Sequence, residues 1–276
     1  MSNPNHVLQD DTPATASSNE RNVALINATM PLQNLLTQIE HTLAPVRHVM
    51  KPILSDPLVM GVWALLVVAS VGTLWWDLRE RNQALPSLMK AVWTLVVFYS
   101  GPFGLGVYWY SGRTQISTDS LWRRGFRSTA HCYSGCGAGE VLGFVLLAGL
   151  LALESTLLVT AGTFALAYTF GYALTVGPLM QEGVGFGEAM LDALYSETPS
   201  ITVMEIAAIG TDLLVASQAH ISNLLFWGAL VFSLSVGFVF AFPINATLVH
   251  FGVKEGMKNP AEMGQTQRSG QAQAAD

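Results

Sequence analysis

The sequence predicts an all-α fold: a polytopic bundle of about six transmembrane helices, preceded by an N-terminal amphipathic segment. Two observations carry this prediction. The chain is 51% hydrophobic but only 12% charged over 276 residues, where soluble domains carry about 25% charged residues. Its apolar residues are also gathered into runs near the roughly 20 residues that a helix needs to cross a ~30 Å hydrocarbon core.

Taken in order, residues 1–28 have the composition of a disordered tail. The opening MSNPNHVLQDDTPATASSNE is polar and acidic, unlike a cleavable signal peptide. In 29–55, Leu32, Leu35, Leu36, Ile39, Leu43 and Met50 recur at helical spacing, which suits an amphipathic stretch lying in the interface. Residues 56–252 form the transmembrane domain. Its first span, Leu58–Trp76, is uncharged and closed by the aromatic pair Trp75 and Trp76. The second runs over 88–110, with a kink expected at Gly101-Pro102, and a polar loop then reaches about residue 130. Spans three and four cover 132–153 and 156–180. A mixed stretch over 181–199 precedes a fifth span, Pro199–Ala216, with Thr198 as its cap. The sixth, Asn223–His250, carries Pro243, and 253–276 reads as a second disordered tail.

The lipid bilayer is therefore the first partner. A net charge of −6 without a basic cluster argues against nucleic acid. With six spans, ten lysines and arginines share one side with both termini, against Arg79, Arg81 and Lys90 on the other. The positive side is cytoplasmic, so the expectation is an inner-membrane protein with both termini inside.

The chemistry is suggested by a charge asymmetry. Between Arg127 and Lys254 there is no lysine or arginine, yet there are eight acids: Glu140, Glu154, Glu182, Glu188, Asp192, Glu197, Glu205 and Asp212. A carboxylate at the bilayer centre costs about 2.5–3.5 kcal/mol on insertion scales. Glu140, Glu205 and Asp212 fall inside spans, so each must be protonated, wetted, paired with an arginine or bound to a cation. Cys132, Cys136 and Glu140 recur every four residues and share a helix face, with His131 beside them. Gly135, Gly139 and Gly143 form a neighbouring stripe that admits another helix, from this chain, a partner or a second copy. Soft thiolates favour Cu(I) or Zn and imidazole suits either, so the expected cofactor is copper or another transition metal. The candidate metal ligands are accordingly His131, Cys132, Cys136, Glu140, Met204 and Glu205, with Asp212 and Glu197 as an ion relay.

At these residues the chain resembles a family of bacterial membrane proteins, the domain of unknown function 4396. The motifs are His131-Cys132-x-x-Gly135-Cys136-x-x-Gly139, Phe170-Gly171-Tyr172, Ser200-Ile201-x-x-Met204-Glu205, Phe226-Trp227 and Phe242-Pro243-x-Asn245, spread over about 125–252. The resemblance implies the membrane fold and no particular activity. In two places the chain departs from the pattern: Glu197 stands where relatives carry Asp, and Lys254-Glu255-Gly256 replaces a glycine-histidine ending.

Three functions follow as expectations. The first is transition-metal handling, with copper as the ion, at an intramembrane thiol and carboxylate site. The second is proton- or sodium-coupled transport of a small solute through the acids, with the thiols structural. The third is a non-catalytic accessory subunit docked through the glycine stripe. No phosphate loop or nucleophile elbow is present, so the expectation is not an enzyme.

Overall fold

In the computed structural model of the protein, the described residues are 38, 41–42, 44–216, 219–254 and 257–263. The predicted tail 1–28, the first part of the amphipathic stretch 29–55 and the end of the C-terminal tail lie outside them. Of the unit 1–47, residues 38, 41–42 and 44–47 are described, and all are helical. Everything below concerns the unit 48–276.

The fold is all-helical, with no strand among the described residues. Its helices are α1 (Pro57–Glu80), α2 (Ser87–Ser100), α3 (Pro102–Ser111), α4 (Leu121–Gly143), α5 (Thr156–Gln181), α6 (Phe186–Val215) and α7 (Leu224–His250). A π-helical turn, Phe144–Leu150, extends α4. Local chemistry sets several starts. Asp56 caps α1 by accepting from the Leu58 and Val59 amides, with Pro57 at the first helical position. Ser120 and Ser155 cap α4 and α5 in the same way.

Five of these helices are long and apolar enough to cross a membrane: α1, α4 with its π turn, α5, α6 and α7. The second predicted span is instead divided. At Gly101 the backbone adopts φ 55°, and α3 turns back along α2. Trp93 of α2 packs edge-on against Tyr108 of α3, ring centroids 5.4 Å apart. A Cβ on Gly104 would sit 2.7 Å from the Val96 carbonyl, so only glycine permits this approach. With 14 and 10 residues, the two arms are about 21 and 15 Å long, and neither spans a ~30 Å core. The tip lies against Trp63 and Val67, halfway along α1.

Both ends of this hairpin consequently lie at the C-terminal end of α1. Asp77, 3% exposed, accepts from Asn82 Nδ2 at 2.7 Å, Tyr108 hydroxyl at 2.8 Å and Arg113 Nη2 at 2.8 Å. Asn82 Oδ1 accepts the Thr114 amide at 2.8 Å. Six spans would place the loops around 81 and 113 on opposite sides; these contacts join them. Periodicity cannot show this, because a kinked span and a doubled-back pair have the same apolar pattern.

Two boundaries also move. The loop expected over 111–130 becomes helical at Leu121, and α6 begins at Phe186, with Pro199 in its interior and no cap at Thr198. Thr198 Oγ1 instead donates back to the Leu194 carbonyl at 2.5 Å. The stretch after 252 does not leave the bundle at once. Lys254 is buried, Met257 and Met263 pack on the core, and Lys258 pairs with Glu182 at 2.5 Å.

At the centre, α4 touches α2, α3, α5, α6 and α7. Its glycines set the spacing to α5. A Cβ on Gly135 would meet Gly171, one on Gly139 would meet the Ala167 backbone at 2.5 Å, and one on Gly143 would meet Thr163. Gly137 faces the other way and admits the ring of Tyr99, while Ser100 and Tyr133 share a hydrogen bond of 2.8 Å that fastens the hairpin tip to α4.

Candidate functional site: a line of buried acids and thiols

Because α4 is regular from Leu121 to Gly143, Cys132, Cys136 and Glu140 stand one above another, one turn apart. All three are buried. On α6, Glu205 faces this row and is 0% exposed. Its carboxyl lies within electrostatic reach of Glu140, Cys136 and Cys132, and Glu140 is in turn within reach of Asp212. Neither oxygen of Glu205, nor Glu140 Oε1, nor Asp212 Oδ1 has a well-formed hydrogen bond among the described residues; Glu205 has only the Glu140 carboxyl and the Cys136 thiol within side-chain reach. Two arginines that precede this row in the chain have acids of their own: Arg113 pairs with Asp77, and Arg127 with Asp119 at 2.8 Å.

A cavity of about 580 Å³ opens toward this row from the end of the bundle that carries residues 151–155 and 219–223. Glu140, Thr163 and Ala208 are its deepest lining residues along α4, α5 and α6, with Asp212 higher up and Glu154 and His220 near the mouth. Phe144, Ala148 and Gly149 of the π turn form part of its wall. Such turns widen a helix locally and recur at functional sites. Nothing in the hydropathy pattern announces this turn.

Beyond the thiols, toward the opposite end, the line continues. Ser200 Oγ lies 3.7 Å from Cys132 Sγ and 3.0 Å from the Glu197 carbonyl. Glu197 is buried and ion-paired with Lys254, and it accepts from Thr175 Oγ1 at 2.9 Å. His131 Nε2 lies 3.2 Å from that same hydroxyl. Lys254 also donates to Asn245 Oδ1 at 3.0 Å, which accepts from Ser128 at 2.9 Å.

The six candidate metal ligands therefore divide. Cys132, Cys136, Glu140 and Glu205 form the row, whereas His131 belongs to the Thr175–Glu197 group. Met204 is buried against α7, its Cγ 3.0 Å from where a Cβ on Gly237 would be. Among the described residues, no three or more His, Cys, Asp or Glu side chains converge as metal ligands. Of the two relay acids, Asp212 has no ion-pair partner among the described residues, and Glu197 has a basic one. Sequence reasoning misses Thr175, Ser200 and Lys254, because hydroxyls are common in apolar helices and Lys254 lies past the last span.

The sequence comparisons concern this same part of the molecule. Residues 121–254 match a family model, the Domain of unknown function (DUF4396). This stretch is a DUF4396 domain. Neither the comparison with curated proteins nor that with solved structures finds a match. The DUF4396 domain holds α4 to α7 and stops at Lys254. It thus contains the acids, the thiols and the cavity, and leaves α1 and the α2–α3 hairpin outside.

Proposed function

We propose that this protein carries a small cation through the DUF4396 bundle, with Glu140, Glu205 and Asp212 as the groups that exchange it. One observation carries the reading: Glu140 and Asp212 line an open cavity, Glu205 adjoins Glu140 behind it, and no described basic residue is paired to any of the three. A polar atom buried without a hydrogen bond costs roughly 1–3 kcal/mol. Intramembrane ionisable residues of this kind commonly mark ion paths and proton relays.

The proton is the cation this geometry suits best, since carboxyls can exchange it without a preformed ligand shell. In sealed liposomes containing the purified protein, a pH gradient is expected to dissipate faster than in empty ones. Glu205→Gln should reduce that flux at least tenfold. Equal rates for wild type, Glu205→Gln and empty vesicles would sink the proposal.

A second reading, copper handling, is favoured by the two thiols in reach of Glu205, because soft thiolates select Cu(I). Stoichiometric copper in protein loaded under reducing conditions, lost in Cys132→Ser/Cys136→Ser, would support it.

The doubled-back hairpin also changes the topology we propose. With five crossings, the end at 81–86 and 112–120 collects, among the described residues, Arg79, Arg81, Lys90, Arg113, Arg123, Arg124, Arg127, Lys254 and Lys258, nine in all. At the other end, this unit has Lys51 among its described residues. Positive charge marks the cytoplasmic side. The basic end, with the C-terminus, is then cytoplasmic, the N-terminus lies across the membrane, and the cavity opens away from the cytoplasm. Reporters active only in the cytoplasm should work when fused after 276 and fail when fused at residue 1. Activity at both ends would restore the six-span topology.

A further inference from the structure

Lysines near helix ends ordinarily extend along apolar surface and leave the ammonium in water. Lys254 does the reverse. α7 stops at His250, and Gly252, at φ 70°, turns the chain. The Lys254 amide then returns to the Leu248 carbonyl at 3.3 Å. Its side chain points into the bundle and is 4% exposed. One ammonium there joins four helices: Glu197 on α6, Thr175 on α5 through Glu197, Asn245 on α7, and Ser128 on α4 through Asn245. A buried ion pair is often no more stabilising than an apolar pair of the same volume, so stability gives no sufficient reason for it.

Its position gives one. From the cavity, the line runs through Glu140 and Glu205, then Cys136 and Cys132, with Ser200 beside Cys132, and the Glu197–Lys254 pair lies within electrostatic reach of Cys132. A mobile cation arriving at Cys132 would meet a fixed positive charge already seated on the next acid along that line.

We propose that Lys254 is a tethered cation that closes the basic-end exit of the path. While its ammonium occupies Glu197, a free cation cannot; when Lys254 swings out toward the aqueous side, Glu197 becomes the last station for the departing ion. Ion and lysine thus exclude one another at Glu197. This rests on the cation-path reading, and the test is chosen to report on the exit independently of transport.

The probe is Ag⁺, a small thiol-seeking cation, applied to the basic end of sealed vesicles. Blocked thiols are counted at intervals by denaturing alkylation and mass spectrometry. Cys132 should react slowly in wild type and in Lys254→Arg, and at least tenfold faster in Lys254→Met. Should Lys254→Met fold poorly because Glu197 is left unpaired, the double variant Glu197→Gln/Lys254→Met removes that orphan charge and should show the same rapid reaction. Equal Cys132 rates in wild type and in the folded neutral variants would overturn the exit role. If proton flux proves insensitive to Glu205 while the silver rates differ as stated, the transport reading fails and the closure at Lys254 stands.

Discussion

Glu205→Met will raise the thermal midpoint of the purified protein while abolishing cation flux. The side chain is fully buried, and neither carboxyl oxygen has a well-formed hydrogen bond among the described residues. Methionine has a similar length, fills irregular gaps and removes both oxygens. The relief should be about 1–3 kcal/mol, the cost of an unsatisfied buried polar group. Ordinary core residues behave oppositely, since most substitutions at packed sites destabilise. A group that weakens the fold and is nonetheless needed for flux is the signature of a functional acid. Thermal unfolding in detergent, paired with the liposome assay, checks both halves. A lowered midpoint would mean that the carboxyl is held by groups that replace water well, and the argument from orphaned oxygens would fail.

Asp77→Ala is expected to produce the largest loss of stability among single polar substitutions. One buried carboxylate holds Asn82, Tyr108 and Arg113 together, joining α1 to both ends of the α2–α3 hairpin. Removing it leaves four donor groups on three side chains aimed at an empty place, and breaking a buried charge pair from one side costs about 3–5 kcal/mol. Unfolding in detergent should shift to markedly lower temperature, and trypsin should cut after Arg113 in the variant under conditions where wild type resists. Asp77→Asn, which keeps one acceptor oxygen, should fall between the two. If Asp77→Ala unfolds with wild type, the hairpin is held by its apolar packing alone.

Most of the helices are legible in the chain. The run Leu58–Trp76 and the final run ending at His250 are too long and too apolar to be anything but spans, and they appear as α1 and α7. The caps at Asp56 and Ser155 emerge only in the structure, and capping is misleading at Thr198. There the preceding turn already carries a helix through Pro199, and no free helix end needs a cap. The hairpin is not legible, because Gly101-Pro102 permits either a bend or a reversal. The choice depends on Asp77, Asn82 and Arg113, which are separated by up to 36 positions.

The candidate site divides along the same line. Which residues share a helix face follows from a period of 3.6, so the sequence alone puts Cys132, Cys136 and Glu140 in one row. The stripe Gly135, Gly139 and Gly143 belongs to the same class, and α5 lies against it. Which residues oppose that row depends on how helices far apart in the chain pack. That packing brings Glu205 to the acids, carries His131 to Thr175, turns Met204 toward α7, and folds Lys254 back onto Glu197. Periodicity is a local property of the backbone, set by each helix alone; the pairing of an acid with a base, or its abandonment beside a cavity, is decided only when separate helices meet.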